Sequence, residues 1–584
     1  MPTSRMHPRF HAPLLNRRHA AGALLLTLAG CATAPAPRRA TNAPGATLPS
    51  IAIPGDTRFV AIARDVLRVQ TAVMPDFASQ SGLFDDGLEP PSFKPERVAA
   101  LGARLRSAMA GLRALPWRSW DVDRQIDVRW VYANAARLER ELDVERLYLH
   151  RPSAWLEPVA SSFIHIVTYA PQRRDALDTL TARMPAMVAE MRTLCRPTAV
   201  DAKIAIGVLD GIVAGLKASP PAGADAALAA LAGYRAELLA LKDAEPFRVI
   251  GADNYAWRLR HATLLPWTPL ALRQLAEQRL AEVDAEIARL TPTLPAEVPL
   301  SPELEQVAAT LNQASLLRLY DRIQEEYRSF IEQKGFITIP AGVGPVKARV
   351  TPDAMVPLTG DGGSMNPPPP YIDDDTGWWN VEHFNPAMSA DERRARVRRA
   401  ALHRTASMGP YAVHEGVPGH HLQLAIARLN PNPLRNVFSD PVQNEGWALY
   451  AEQLMWEQGG FGPGAQSRVN MLRSWRGRIR RVVYDVNIET GLWSLQQGAD
   501  WAQQAQAGQG RVGPEIQRAV NWPAQLVCYF AGKEQILQLK ADCKKKMGHG
   551  YSERRFHDEL LALGSVPYVF ARAKMLGEAV PDFQ

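Results

Sequence analysis

Apolar residues recur every three or four positions along almost the whole chain, in segments such as 58–75, 95–114, 124–147 and 174–197. That is the repeat of an amphipathic α-helix, not of a strand. The segments 222–243, 268–291 and 301–334 continue the pattern, often opened by Pro, Ser or Thr and closed near Gly or Pro. Each such helix has to bury its apolar stripe against another, which confines the chain to a mainly α architecture of many packed helices. The texture changes once, between about 335 and 385. There "FITIP", "VKARVTP" and "GWWNVEHF" read as short strands, and the Gly- and Pro-rich "PLTGDGGSMNPPPPYIDDD" reads as a mobile loop. Long helices return after 390, notably 390–408, 442–458, 466–496 and 522–547. The expectation is a large multi-helix body with one small β-sheet element near 335–385.

The first 30 residues read as an address. Arg17 and Arg18 precede an apolar run from Ala20 to Leu28, which ends in "LAGC" at Cys31, the pattern of a bacterial lipoprotein signal peptide cleaved before an acylated cysteine. Residues 31–55, rich in Ala, Pro and Thr, make a flexible tether. Beyond them, 56–300 form a helical region and 301–584 carry the chemistry, and since nothing near 300 resembles a linker the two can form one continuous body. No other run approaches the roughly 18–20 apolar residues that a spanning helix needs, so the expected membrane link is the lipid anchor. An envelope lipoprotein facing the periplasm follows, and Ala32 after the cysteine favours the outer membrane.

The formal charge of +7 falls to +3 (7 − 4) without the four arginines of the leader. That is too small, and too scattered, for a nucleic-acid partner. Lys544, Lys545 and Lys546 read as a solvated helix end. The remaining cysteines, Cys195, Cys528 and Cys543, are too widely spaced for a thiolate zinc knuckle, and their odd number argues against a disulfide framework.

The chemistry concentrates in "AVHEGVPGHHLQLA", residues 412–425. Two histidines four residues apart on a helix share a zinc ion, and a glutamate beside the first serves as general base. Here His414 and Glu415 supply the first half, but Pro418 stands where the second histidine is due. On an ideal helix His420 would lie about 120° off the face and roughly 9 Å along the axis, and His421 about 10.5 Å away, so neither would reach. Pro418 and Gly419 forbid an ideal helix. If they bulge out as a two-residue insertion, His414, Glu415, Gly416, Val417 and His420 restore H-E-x-x-H. His420 is then the second ligand, and His421 turns toward substrate or a supporting partner. A catalytic zinc takes a third protein ligand and leaves a position for water. Glu445, in "NEGWALYAE", is the candidate, 25 residues beyond His420 at the start of the next periodic helix. Glu452, seven residues later on the same face, is placed to hold a ligand ring by its second nitrogen, with Asn444 as a further supporting or substrate-facing residue.

"HEGVPGHHLQ" followed by "NEGWALYAEQL" resembles a bacterial family catalogued as a domain of unknown function, many of whose members are lipoproteins, and which is grouped with the gluzincin type of zincin-like metallopeptidases. Further matches are "ETGLW" at 489–493, "PAQLVCYFAGKEQIL" and "RFHDELLALGSVP". The resemblance spans most of the chain beyond the leader and is sharpest in its C-terminal part. The family pattern reads closer to "DTGLH" and "PGQALSYKIG", so this chain departs from it at Trp493, Ala524, Cys528 and Phe530. The resemblance implies a zincin-like fold and a donor for the oxyanion, for which Tyr529 matches a family position. Tyr551, His549 and His557 are further candidates, although His557 and Asp558 also fit a buried brace. Arg473, Arg476 and Arg480 recur at helical spacing, where a solvated basic face accounts for them as simply as a carboxylate site. The expected function is a zinc-dependent hydrolase, most readily a peptidase of peptides or small amides, in which Glu415 moves the proton. A non-catalytic scaffold lipoprotein and a metal-dependent hydrolase of a non-peptide substrate are the alternatives. The oligomeric state is open.

Overall fold

In the computed structural model the described residues are 47–48, 51–242, 247–353, 355–356, 360–505 and 512–583. The leader, Cys31 and most of the tether lie outside them. The helices sit where the apolar period puts them: Thr57–Val73, Pro95–Arg113, Val122–Arg140, Arg174–Leu194, Ala224–Leu239 and Pro269–Leu290 all fall close to the expected ranges. Local chemistry sets their ends. The Asp56 carboxylate accepts from Arg58 N and Phe59 N, for example, supplying the partner that the first turn of a helix lacks. The fold is mainly α with a small sheet.

We label the elements that build the site as α1 (Ser153–Tyr169), α2 (Gln313–Lys334), β1 (Val346–Val350), β2 (Ser364–Asn366), β3 (Gly377–Val381), α3 (Met408–Glu415), α4 (His420–Arg428), α5 (Pro441–Glu457), α6 (Ala465–Glu489), α7 (Val512–Asn521) and α8 (Cys528–Met547). Four of the long expected helices are shorter or split. The 301–334 segment is Pro302–Ala309 plus α2, because Asn312 and Ser315 form a capping box that starts a helix afresh. The 390–408 segment ends at Ala401 and α6 ends at Glu489. The last long helix begins at Cys528, after Pro523 and a left-handed Ala524 at φ 66°, neither of which continues a helix.

The three strands form a sheet in the order β1-β3-β2, with β1 parallel and β2 antiparallel to β3. "FITIP" contributes no strand. Instead Thr338 is tied to the Asp558 carboxylate through its N and Oγ1, at 2.8 and 2.6 Å. Part of the Gly-rich loop, Ser364–Asn366, becomes an edge strand, and residues 357–359 of that loop lie outside the described set.

The main apolar core runs from Leu48 to Val580, a smaller cluster gathers Tyr484, Ile488, Ala519 and Leu526, and the described residues belong to one compact unit. Its tightest seam is the crossing of α5 and α8. A Cβ on Gly446 would lie 2.5 Å from the carbonyl carbon of Gly532, and one on Gly532 would lie 2.6 Å from Gly446 Cα. Only two glycines let these backbones touch. Because Glu445 adjoins Gly446 and Tyr529 precedes Gly532 by three residues, this contact sets both side chains against one cavity.

Candidate metal centre

α3 stops at Glu415 and α4 starts at His420, with Gly416, a cis Val417–Pro418 peptide and Gly419 between them. The expected bulge within one continuous helix is therefore corrected to a break between two helices, since Pro418 has no N–H and its ring excludes the preceding turn. The break is held from outside. Gln324 of α2 donates from Nε2 to Ala412 O at 2.9 Å and accepts from Val417 N at 3.1 Å. Trp447 of α5 donates from Nε1 to Pro418 O at 2.7 Å.

The break brings the His420 ring against that of His414, with centroids 4.8 Å apart and planes at 84°. One nitrogen of each histidine and one oxygen of Glu445 lie within 4.8 Å of one another. Glu445 Oε2 is 3.5 Å from His414 Nε2 and 3.2 Å from His420 Nε2. Among the described residues this is the one His, Cys, Asp and Glu cluster tight enough to share an ion. His414 Nδ1 donates to Glu452 Oε1 at 3.0 Å, which keeps a proton on Nδ1 and turns Nε2 toward Glu445. Glu445 Oε2 is buried and faces both histidine nitrogens.

This donor set fits zinc. Bonds of roughly 2.0–2.2 Å in a tetrahedron put neighbouring ligand atoms about 3.4 Å apart, close to the two separations measured here. The electrostatics agree. Burial opposes a charge on His414, yet its bonds to Glu445 and Glu452 outweigh burial and raise its pKa to about 9. Burial likewise opposes charge on Glu445, but His420 and His414 overrule it and hold the carboxyl well below its usual range. Glu415, beside His414, is raised by burial and only partly relieved by the two histidines, so it is the carboxyl of the site most ready to take a proton.

These groups face a cavity of about 380 Å³ whose walls include Glu415, Ser364, Met365, Pro367–Pro370, Arg518, Trp522 and Tyr529. Tyr529 lies over His414, ring centroids 6.0 Å apart and nearly parallel. Its hydroxyl accepts from Arg518 Nη2 at 3.0 Å, leaving the phenolic proton to be donated. Burial raises its pKa despite Arg518, so that proton stays on.

Other expected residues take supporting places. His421 is fully buried, with Nε2 donating to Gly344 O at 3.0 Å, and a Cβ on Gly377 would press on its Nδ1 and lie 2.7 Å from its Cε1. It pins α4 to the sheet and does not line the cavity. Burial pushes its pKa down to about 4. Asn444 lines the cavity and braces it, donating to Ser439 Oγ and accepting from Ser565 Oγ, both at 2.7 Å. His557 is a buried brace: Nε2 accepts from the Tyr450 hydroxyl and Nδ1 donates to Phe336 O, each at 2.8 Å. Tyr551 donates to Glu553 at 2.8 Å and His549 is exposed. Arg476 lies 3.4 Å from Asp284, and neither it nor Arg473 or Arg480 borders the cavity. Of the family departures, Cys528 and Phe530 are core residues and Trp493 packs against Trp501 at 5.7 Å.

Arg518, Trp522 and the Pro367–Pro370 wall were not among the expected site residues. The proline run was visible as a loop, whereas Arg518 carried no local signal in the sequence.

A mainly helical protein with two histidines and a carboxylate converging beside a cavity is what the fold and site define. The chain belongs to the family described as "Bacterial protein of unknown function (DUF885)", which it matches over residues 75–575. No curated protein matches it. Two solved structures share the fold. A protein of Shewanella oneidensis, provisionally described as a lipoprotein of unknown function, is 22% identical with a TM-score of 0.69, over 89% of this chain and 99% of that one. A protein of Colwellia psychrerythraea, provisionally described as a lipoprotein, is 16% identical with a TM-score of 0.64 over the same shares. No described helix is long and apolar enough to cross a membrane.

Proposed function

We propose that this chain is an envelope-anchored, zinc-dependent hydrolase related to the gluzincins, and that it is a metallopeptidase. The observation that carries the reading is the convergence of His414, His420 and Glu445 within 4.8 Å beside Glu415, with Glu452 fixing the tautomer of the first ligand. Zinc there would supply Lewis acidity, which acidifies water and polarises a carbonyl. Glu415 takes a proton from the attacking water and returns it to the departing amine, work suited to a carboxyl whose proton affinity burial has raised. Tyr529, held by Arg518, directs its hydroxyl proton at the oxygen where negative charge develops. β2 is an edge strand, and Ser364 and Met365 line the cavity, so an extended peptide has backbone groups to pair with there.

Acylation of Cys31 would hold the enzyme to the membrane, facing the periplasm, with 31–55 as tether. The lipoprotein descriptions of the two structural neighbours support this. Elemental analysis of purified protein is expected to find one zinc per chain, and Glu415→Gln is expected to keep the metal while losing at least 100-fold in turnover. Protein without stoichiometric metal would favour the scaffold reading. Metal with no cleavage in a peptide-library digest would favour a non-peptide substrate.

A further inference from the structure

Arg518, on α7, borders the metal cavity as a charge without a counter-charge. The nearest acid along its helix, Glu515, is already taken. Arg481 of α6 donates to both of its oxygens at 2.7 and 2.8 Å, and the Tyr484 hydroxyl donates to one of them at 3.0 Å. No carboxylate among the described residues forms an ion pair with Arg518 itself, and Arg481 adds repulsion. Two guanidinium groups thus share one carboxylate. The surplus positive charge lies on the half-buried Arg518, where a counter-ion is worth more than in open water.

The guanidinium is also held in place with one edge free. Its Nη2 donates to the Tyr529 hydroxyl and to Gln525 Oε1, both at 3.0 Å. The Trp522 and Tyr529 ring centroids each lie 5.9 Å from its central carbon. Nε is buried without a partner, whereas Nη1 bonds to nothing among the described residues and is not buried. Nη1 is therefore the nitrogen left to meet the cavity. On its other side Gln525 directs Nε2 at Glu445 Oε1, at 3.5 Å, so the guanidinium lies two side-chain contacts from a proposed metal ligand.

Resting on the hydrolase reading of this site, we infer that Arg518 receives a carboxylate of the substrate and selects peptides that carry one close to the bond to be cut. A carboxylate is the anion that a peptide offers, and its planar pair of oxygens suits a guanidinium better than a point charge would. Tyr529 touches both ends of the site, its ring over His414 and its hydroxyl on Arg518. One side chain spans the gap, so a carboxylate at Arg518 sits near the carbonyl under attack.

The carboxylate has two sources in a peptide, a free C-terminus or an acidic side chain. Calorimetric titration of the full chain carrying Glu415→Gln, which leaves the probes uncut, separates them with three peptides: acetyl-Ala-Ala-Ala with a free C-terminus, acetyl-Ala-Glu-Ala-amide, and the neutral acetyl-Ala-Gln-Ala-amide. At least one anionic probe is expected to bind at least about tenfold more tightly than the neutral one. Adding Arg518→Gln is expected to abolish the difference, and Arg518→Lys, which keeps the charge but not the fork, to reduce it. Tyr529→Phe is expected to leave it standing, because the carboxylate bonds to the guanidinium and not to the phenol. Equal affinity for all three probes overturns the inference, as does a preference that survives both Arg518 substitutions or one that Tyr529→Phe removes as completely. A preference lost on chelation but untouched by Arg518→Gln puts the carboxylate on the metal, and overturns it too. An Arg518-dependent preference in protein without metal or turnover sinks the hydrolase and leaves the carboxylate site, while metal-dependent turnover indifferent to peptide carboxylates does the reverse.

Discussion

Gly446 and Gly532 offer a prediction whose sign runs against helix propensity. In a helix interior, glycine to alanine is favourable by about 1 kcal/mol. Gly477 of α6, with nothing within 4 Å of its hypothetical Cβ, is expected to show that gain. At the α5–α8 seam ordinary contact begins at 3.4 Å, whereas the new Cβ on Gly446 would press on Gly532 Cα and lie 2.5 Å from its carbonyl carbon, and that on Gly532 would press on Val442 O and lie 2.6 Å from Gly446 Cα. The backbones would have to separate by at least 0.9 Å (3.4 − 2.5) or 0.8 Å (3.4 − 2.6). Overpacking of that kind costs roughly 1–3 kcal/mol or more, which exceeds the propensity gain. Gly446→Ala and Gly532→Ala are therefore expected to lower stability by about 1–2 kcal/mol net in urea unfolding, with Gly477→Ala moving the other way. The seam also carries Glu445. Its oxygen sits 3.2 and 3.5 Å from the histidine nitrogens, and metal sites tolerate only a few tenths of an ångström, so both seam variants are expected to bind zinc more weakly. Seam variants as stable as Gly477→Ala, with zinc affinity intact, would refute the reasoning.

Other expected outcomes follow from individual contacts. Glu452→Gln removes the charge that orients His414 and should weaken zinc binding about 10- to 100-fold in a competition titration without unfolding the protein. His421→Ala should leave zinc stoichiometry unchanged but cost roughly 3 kcal/mol, because Gly344 O loses its donor and a buried ring is deleted; loss of metal in this variant with His420→Ala retaining it would exchange their roles. Burial depresses His557 from the ordinary 6.5 to about 4. The unfolded chain therefore takes a proton below about pH 6.5 that the native protein refuses, and stability falls by up to roughly 3 kcal/mol toward pH 4. His557→Gln should flatten that part of the stability profile, and an unchanged slope would count against the assignment.

The helices were legible because most are amphipathic, and a single buried stripe leaves a clear period. α1, "SAWLEPVASSFIHIVTY", was not singled out, being apolar nearly all round with Pro158 inside it. The metal ligands were legible because their chemistry is local: His414, Glu415 and His420 sit within seven residues, and Glu445 and Glu452 share one helix. Arg518 lies hundreds of residues along the chain from Gln80 and Ser81, and only packing shows that they border one cavity. His421 could not be told from a substrate-facing residue, because what buries it is the sheet at Gly344 and Gly377, a tertiary fact.

The interruption from Gly416 to Gly419 bears on how such a centre can be inherited. Since the two histidines belong to separate helices, each locked by its own neighbours, what descent has to preserve is the approach of their ring nitrogens to Glu445, not a count of residues along one helix. Insertions at such a hinge point are admissible whenever the flanking helices stay anchored. Relatives of this chain are then expected to keep Gln324, Trp447 and Glu452 in register with the interruption.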